Sequence, residues 1–185
     1  MSDSPDPARL LGKVGVVLEA CGVNWAVIGA MAVAYHGWVR ASLDADAMIS
    51  MKGSSLDLEQ LAGKLRAEGW TVEVRMGDPG DPLGFVVRID DPAGNHADLI
   101  GGLKRLDPLF FDRAIVEDWE GVRLRIASVE DLIALKVFAG RAKDLEDAQG
   151  ILQVRAPSVN KEMVRKLCRA FGTQASRACD KVLVS

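Results

Sequence analysis

The hydrophobic pattern of this chain has two regimes, and together they restrict the fold to a sheet followed by a helical tail. Across residues 25–126 most apolar side chains alternate in short runs, whereas beyond Ser128 they recur at helical spacing. Strands are expected at residues 25–28, 45–49 and 72–76. A hairpin pairs residues 85–89 with 96–100 around Asp91-Pro92-Ala93-Gly94-Asn95, and a last strand takes in Val122, Leu124 and Ile126. Helices are expected from about residue 8 to 21, ending at Gly22, and from about Ala30 to before Gly37. A third carries Leu58, Leu61, Ala62 and Leu65, capped by Ser54 or Ser55 and closed by Gly69. The tail reads as helices over about 129–139 and 143–154, with another following Pro157 and burying Met163, Val164, Leu167, Cys168 and Phe171. The expectation is an α/β (α+β) fold, with a core over residues 1–127 and a helical segment over 128–185. At 185 residues, 49% of them hydrophobic, the chain can bury one good core.

Composition removes several classes of function. A net charge of -3 gives no basic field for gripping nucleic acid by its backbone, although a small basic pocket stays compatible. One Tyr and five Phe supply no evident stacking platform for bases. Cys21, Cys168 and Cys179 are scattered, lack metal-ligand spacing and read as core thiols of a reducing compartment. No apolar run reaches the roughly 20 residues that span a bilayer, and the polar N-terminus lacks a leader pattern, so a cytoplasmic location is expected.

The chemistry gathers around three aspartates. Asp44 and Asp46 stand at i and i+2 of a strand, so they share a face with Cβ atoms about 7 Å apart. By itself Asp-x-Asp is more often a solvated pair on an edge strand or turn. Bridged by Mg²⁺, which prefers oxygen ligands, the same pair becomes a chelating wall. Asp98 sits in another apolar strand, where a carboxylate is costly unless paired or metal-bound. His96 shares its face and is a candidate supporting residue, whereas His36 reads as a helix end beside Gly37. Upstream, Gly29 and Ala30 close a strand and open a helix, where free backbone N–H groups favour phosphate. Arg40 and Ser42 precede the acidic pair and add a guanidinium and a hydroxyl.

The run Gly29-Ala30-x-Ala32-x3-His36-Gly37-x2-Arg40-x-Ser42-x-Asp44-x-Asp46 resembles the N-terminal signature of nucleotidyltransferases of the DNA polymerase beta superfamily. It is nearest to the small bacterial branch with abortive-infection toxin-like and antibiotic-modifying enzymes. A second block, Glu130-Asp131-Leu132-Ile133-x2-Lys136-x4-Arg141-x-Lys143-Asp144-x2-Asp147, resembles the helical motif that follows the core in that branch. The resemblance implies a nucleotidyltransferase fold: a short mixed sheet with helices on one side and a helical segment closing the cleft. It implies that Asp44, Asp46 and Asp98 hold two Mg²⁺ ions, and that Asp98 can help deprotonate the acceptor. Gly29 and Ala30 would contact phosphates, with Arg40, Ser42, Lys136 and Lys143 as further nucleotide ligands.

The implied reaction moves a nucleoside monophosphate from ATP or another NTP to an acceptor and releases pyrophosphate. The acceptor could be tRNA, a protein side chain or a small molecule such as an antibiotic, and an antitoxin partner is a further expectation. Two departures stand out. The residue after the glycine is often serine in the family and is Ala30 here, so only its N–H remains. The stretch between that turn and Asp44 is also longer than in the shortest members. The alternative is a module that keeps the fold, binds a nucleotide and does not turn it over. Lys136 and Lys143 could share one stripe of a continuous helix, or be separated at Gly140, and loss of either is expected to spare the fold.

Overall fold

The computed structural model describes residues 6–39 and 44–184. In chain order the elements are α1 (Pro7–Ala20), β1 (Asn24–Ile28), α2 (Gly29–Tyr35), β2 (Asp44–Ser50), α3 (Leu58–Ala67), β3 (Thr71–Met76), β4 (Phe85–Asp90) and β5 (His96–Gly101). Then come β6 (Ile115–Trp119), β7 (Val122–Ile126), α4 (Val129–Ala139), α5 (Ala142–Arg155), α6 (Lys161–Phe171) and α7 (Thr173–Val184). The strands form one mixed sheet in the order β3-β4-β5-β2-β1-β7-β6, with β2 parallel to β5 and antiparallel to β1.

The chain divides into two compact units. One comprises Met1–Met31, Ala41–Lys104 and Val116–Ile126; the other comprises Ala32–Arg40, Arg105–Ile115 and Ala127–Ser185.

In the first unit, period-two alternation sorts the sheet into two faces. Trp25, Val27, Ala45, Ala47, Ile49, Val87, Ile89, Ala97 and Leu99 occupy paired positions of one face and are buried. Helices α1 and α3 pack on the sheet, α1 burying Leu10, Leu11, Val14 and Leu18. Each such side chain contributes about 1.5–3 kcal/mol of hydrophobic stabilisation. Gly15 lets α1 lie close, because a Cβ there would stand 2.2 Å from the Trp25 ring. Helices on one side of a mixed sheet is the arrangement expected from sequence.

In the second unit α4 packs against α5, α6 and α7, and α5 and α6 each also meet α7. Its strongest polar anchor is Arg113, whose guanidinium donates two bonds of 2.7 Å to the buried Asp131 and one of 2.9 Å to Asp107. Cys168 and Cys179 are buried there as core thiols, as expected.

Two local features around the sheet differ from the sequence reading. The α3 cap is Asp57, which accepts from Gln60 N–H while the Gln60 side chain accepts from Asp57 N–H. Ser54 instead donates to the Cys21 carbonyl at 2.8 Å. Strand β6 was not anticipated, since its sequence Ile-Val-Glu-Asp-Trp lies at the sheet edge, mostly exposed, and shows no burial alternation. At Gly140, with φ +67, the helical tail breaks as the two separate helices read from sequence require, placing Lys136 and Lys143 on different helices. Among the described residues, no helix is long and apolar enough to cross a membrane.

Candidate functional site

The sheet face opposite α1 carries the polar residues. Asp46 on β2 stands directly across from Asp98 on β5, and Asp44 occupies the register position across from His96. Neighbouring strands run about 4.8 Å apart, and like charges directly opposite each other on a sheet are destabilising. Two apolar strands thus hold carboxylates at matched positions, a costly arrangement for folding that suits a cation. Both aspartates are part-buried, and the Oδ1 atom of Asp98 is out of solvent contact.

Gly29 completes this wall. It follows β1, whose Ile28 pairs with Asp46, and it adopts φ +65. A Cβ on Gly29 would lie 2.0 Å from Asp46 Oδ2, so a side chain there would collide with the carboxylate. Gly29→Ala is therefore expected to destabilise the protein by at least about 1–2 kcal/mol from backbone conformation alone. Urea unfolding measures this, and the same variant should lose nucleotide affinity as Asp46 is displaced. An unchanged unfolding midpoint would contradict the close approach.

Across β5 the wall meets cations that sequence reading overlooked. Arg88 on β4 stands opposite Asp98, and Arg75 on β3 stands opposite Val86 on the same face. The hairpin register carried that information. With Asp90 paired to His96 across the turn, counting back two places on β4 and forward two on β5 sets Arg88 against Asp98. Arg88 Nε lies 3.5 Å from Asp90 Oδ1, and His96 Nδ1 bonds the same carboxylate. His96 therefore has its hydrogen-bond partner within the hairpin.

The charged residues of the helical block lie in the second unit and close largely on one another. Lys136 Nζ is 2.9 Å from both Asp144 Oδ1 and Asp147 Oδ2, and the three side chains are only 10%, 7% and 1% exposed. Arg141 Nε donates to Asp144 Oδ2 at 2.8 Å. Asp147 thus pairs with Lys136. Lys143 is exposed. His36 is buried and donates from Nε2 to the Ala127 carbonyl at 2.9 Å. Its pKa is lowered chiefly by burial, so it serves as a neutral tie.

The structure therefore brings together Gly29, Asp46 and Asp98, with the Asp44 backbone at the start of the same strand. Ala30 is buried in the first turn of α2. Arg40 and Ser42 lie outside the described residues. Among the described residues, no three His, Cys, Asp or Glu side chains gather as a self-sufficient metal cluster. The Asp46–Asp98 pair fits two of the oxygen ligands that a hard cation takes.

Comparisons with known proteins bear on the fold and the family. No curated protein sequence matches the chain significantly. In fold, the chain is similar to the antibiotic-resistance factor ANT(2'')-Ia in complex with adenylyl-2''-tobramycin, with 16% identity, TM-score 0.61, and 89% of this chain and 95% of that one covered. It is similar to an antigenic nucleotidyltransferase-like protein from Paracoccidioides brasiliensis, with 13% identity, TM-score 0.52, and 98% and 93% covered. It is also similar to the lincosamide antibiotic adenylyltransferase LnuA with lincomycin bound, with 12% identity, TM-score 0.50, and 79% and 96% covered. At these identities the likeness concerns the fold. The family model for a nucleotidyl transferase of unknown function (DUF2204) matches residues 8–183, taking in the carboxylate wall, the Gly29 turn and the whole helical block, and the chain belongs to that family.

Proposed function

We propose that this protein transfers a nucleoside monophosphate from an NTP to an acceptor hydroxyl, with Asp44, Asp46 and Asp98 as the ligands of Mg²⁺. The register pairing of Asp46 with Asp98, backed by a glycine that admits the Asp46 carboxylate, carries this reading. Two such ions, when bound, would offset charge on the transferring phosphorus and on the leaving pyrophosphate. The acceptor oxygen displaces pyrophosphate, and its proton passes to Asp98. Gly29 and Ala30 offer backbone N–H groups to the phosphates, and Arg40 and Ser42 are proposed as further contacts.

The helical block is proposed to add charge toward the triphosphate. Lys143 is exposed, whereas Lys136 would have to leave Asp144 and Asp147 to bind any ligand. Lys143→Ala is accordingly expected to weaken NTP binding about 10-fold with thermal stability unchanged.

Calorimetry of ATP and the other NTPs with and without Mg²⁺ tests the reading. Affinity should rise markedly with the metal and fall in Asp46→Asn. Equal affinity in both conditions would remove the proposed metal role. Mg²⁺-dependent binding with no pyrophosphate release, whatever acceptor is supplied, would favour a nucleotide-binding module.

A further inference from the structure

We propose that the recess beside Asp98 receives the acceptor, and that it suits a hydroxyl compound with an apolar body and an anionic group. This rests on the nucleotidyltransfer reading, which leaves the acceptor open. The recess holds about 240 Å³ and is lined by Arg75, Arg88, Leu83, Val86, Asp81 and Asp98, among others. A volume of this size takes one ring and its substituents.

The strand order fixes its side. Crossing the sheet from β1, the chain presents Gly29, then Asp46 on β2, Asp98 on β5, Arg88 on β4 and lastly Arg75 on β3. In a displacement at phosphorus the attacking and leaving oxygens lie roughly in line on opposite sides. With the triphosphate at the Gly29 turn, the attacking hydroxyl comes from the β4 side, where the recess lies.

Charge then selects the acceptor. Asp98 is taken by the acceptor hydroxyl, and the Asp81 carboxylate already accepts from Asp78 N–H at 3.0 Å. Arg75 pairs with Glu73 at 2.9 Å while its side chain is 63% exposed, and Arg88 sits 3.5 Å from Asp90 at 39% exposure. Exposed pairs contribute little, so a ligand anion can take over either guanidinium at small cost. A guanidinium binds carboxylate or phosphate as a planar fork. Leu83 and Val86 provide the apolar wall.

The test uses four phenols that share one ring and hydroxyl: para-hydroxybenzoate, para-hydroxybenzylphosphonate, para-hydroxybenzamide and para-hydroxybenzylamine. Binding to the full chain is measured by calorimetry and by NMR shifts, without nucleotide. The two anions are expected at about millimolar Kd, roughly 10-fold or more below the amine, with the amide between. The better of the two anions identifies carboxylate or phosphate as the preferred group. Arg88→Gln should bring both anions to the amide's affinity and leave the amide unchanged. Equal or tighter binding of the amine, no anion binding at about 10 mM, or anion binding indifferent to Arg88→Gln would overturn the proposal. Because no nucleotide is present, each of these failures leaves the Mg²⁺ test of the nucleotidyltransfer reading intact.

Discussion

Asp98→Asn is expected to lower pyrophosphate release by roughly a hundredfold to a thousandfold or more, while changing the stability of the protein little. The substitution keeps size and removes charge at a position directly opposite Asp46. In metal-free protein the substitution relieves repulsion from Asp46 and gives up attraction from Arg88 on the other side, each worth about 0.2–1 kcal/mol and opposite in sign. A group that supported the fold would instead show stability falling alongside activity. Nucleotide binding should largely survive, because Asp44, Asp46 and the Gly29 turn remain. Thermal unfolding without metal, NTP calorimetry with Mg²⁺ and a pyrophosphate assay together decide it. Loss of activity explained by a lowered melting temperature would contradict the role given to Asp98.

Lys136→Ala is expected to produce the largest loss of stability, about 3–5 kcal/mol, or roughly 6–20 °C in melting temperature. The substitution takes the ammonium from two buried carboxylates, Asp144 and Asp147. The effect has a defined pH dependence. Burial by itself raises the Asp144 carboxyl, but bonds from Lys136 and Arg141 bring it net below its ordinary value. A depressed carboxyl contributes stability above its unfolded value of about 3.9 and loses it as pH falls through the folded value. The gap between wild type and Lys136→Ala should therefore be widest near neutrality and narrow in acid. Urea unfolding at several pH values measures it, and a constant small gap would return Lys136 to an ordinary surface position.

What the sequence could reveal divides along physical lines. Period-two runs such as Ala45-Asp46-Ala47 made the central strands legible, because both neighbours of these strands are present and one face is buried. β6 lacked that signal because an exposed edge strand has no side to bury. The carboxylates were visible as residue types, whereas their mutual register depends on the parallel pairing of β2 with β5, which sets Asp46 against Asp98, 52 positions on in the chain. Lys136 was misjudged for folding because a lysine followed by a helix break reads as solvated. Its burial arises only when α5 folds back on α4 and delivers two aspartates. Arg88 was within reach of counting from the hairpin turn, and Arg75 required the further pairing of β3 with β4.

The central claim, nucleotidyl transfer at the Asp46–Asp98 wall, is tested most directly by following the two ends of the triphosphate. The protein is incubated with Mg²⁺ and a cell extract containing candidate acceptors, using ATP or another NTP labelled at the α- or the γ-phosphate. Label from the α-phosphate is expected in an acceptor, label from the γ-phosphate only in pyrophosphate, and neither transfer with Asp98→Asn. Transfer of the γ-label to an acceptor, or α-label transfer that survives in Asp98→Asn, would contradict the account.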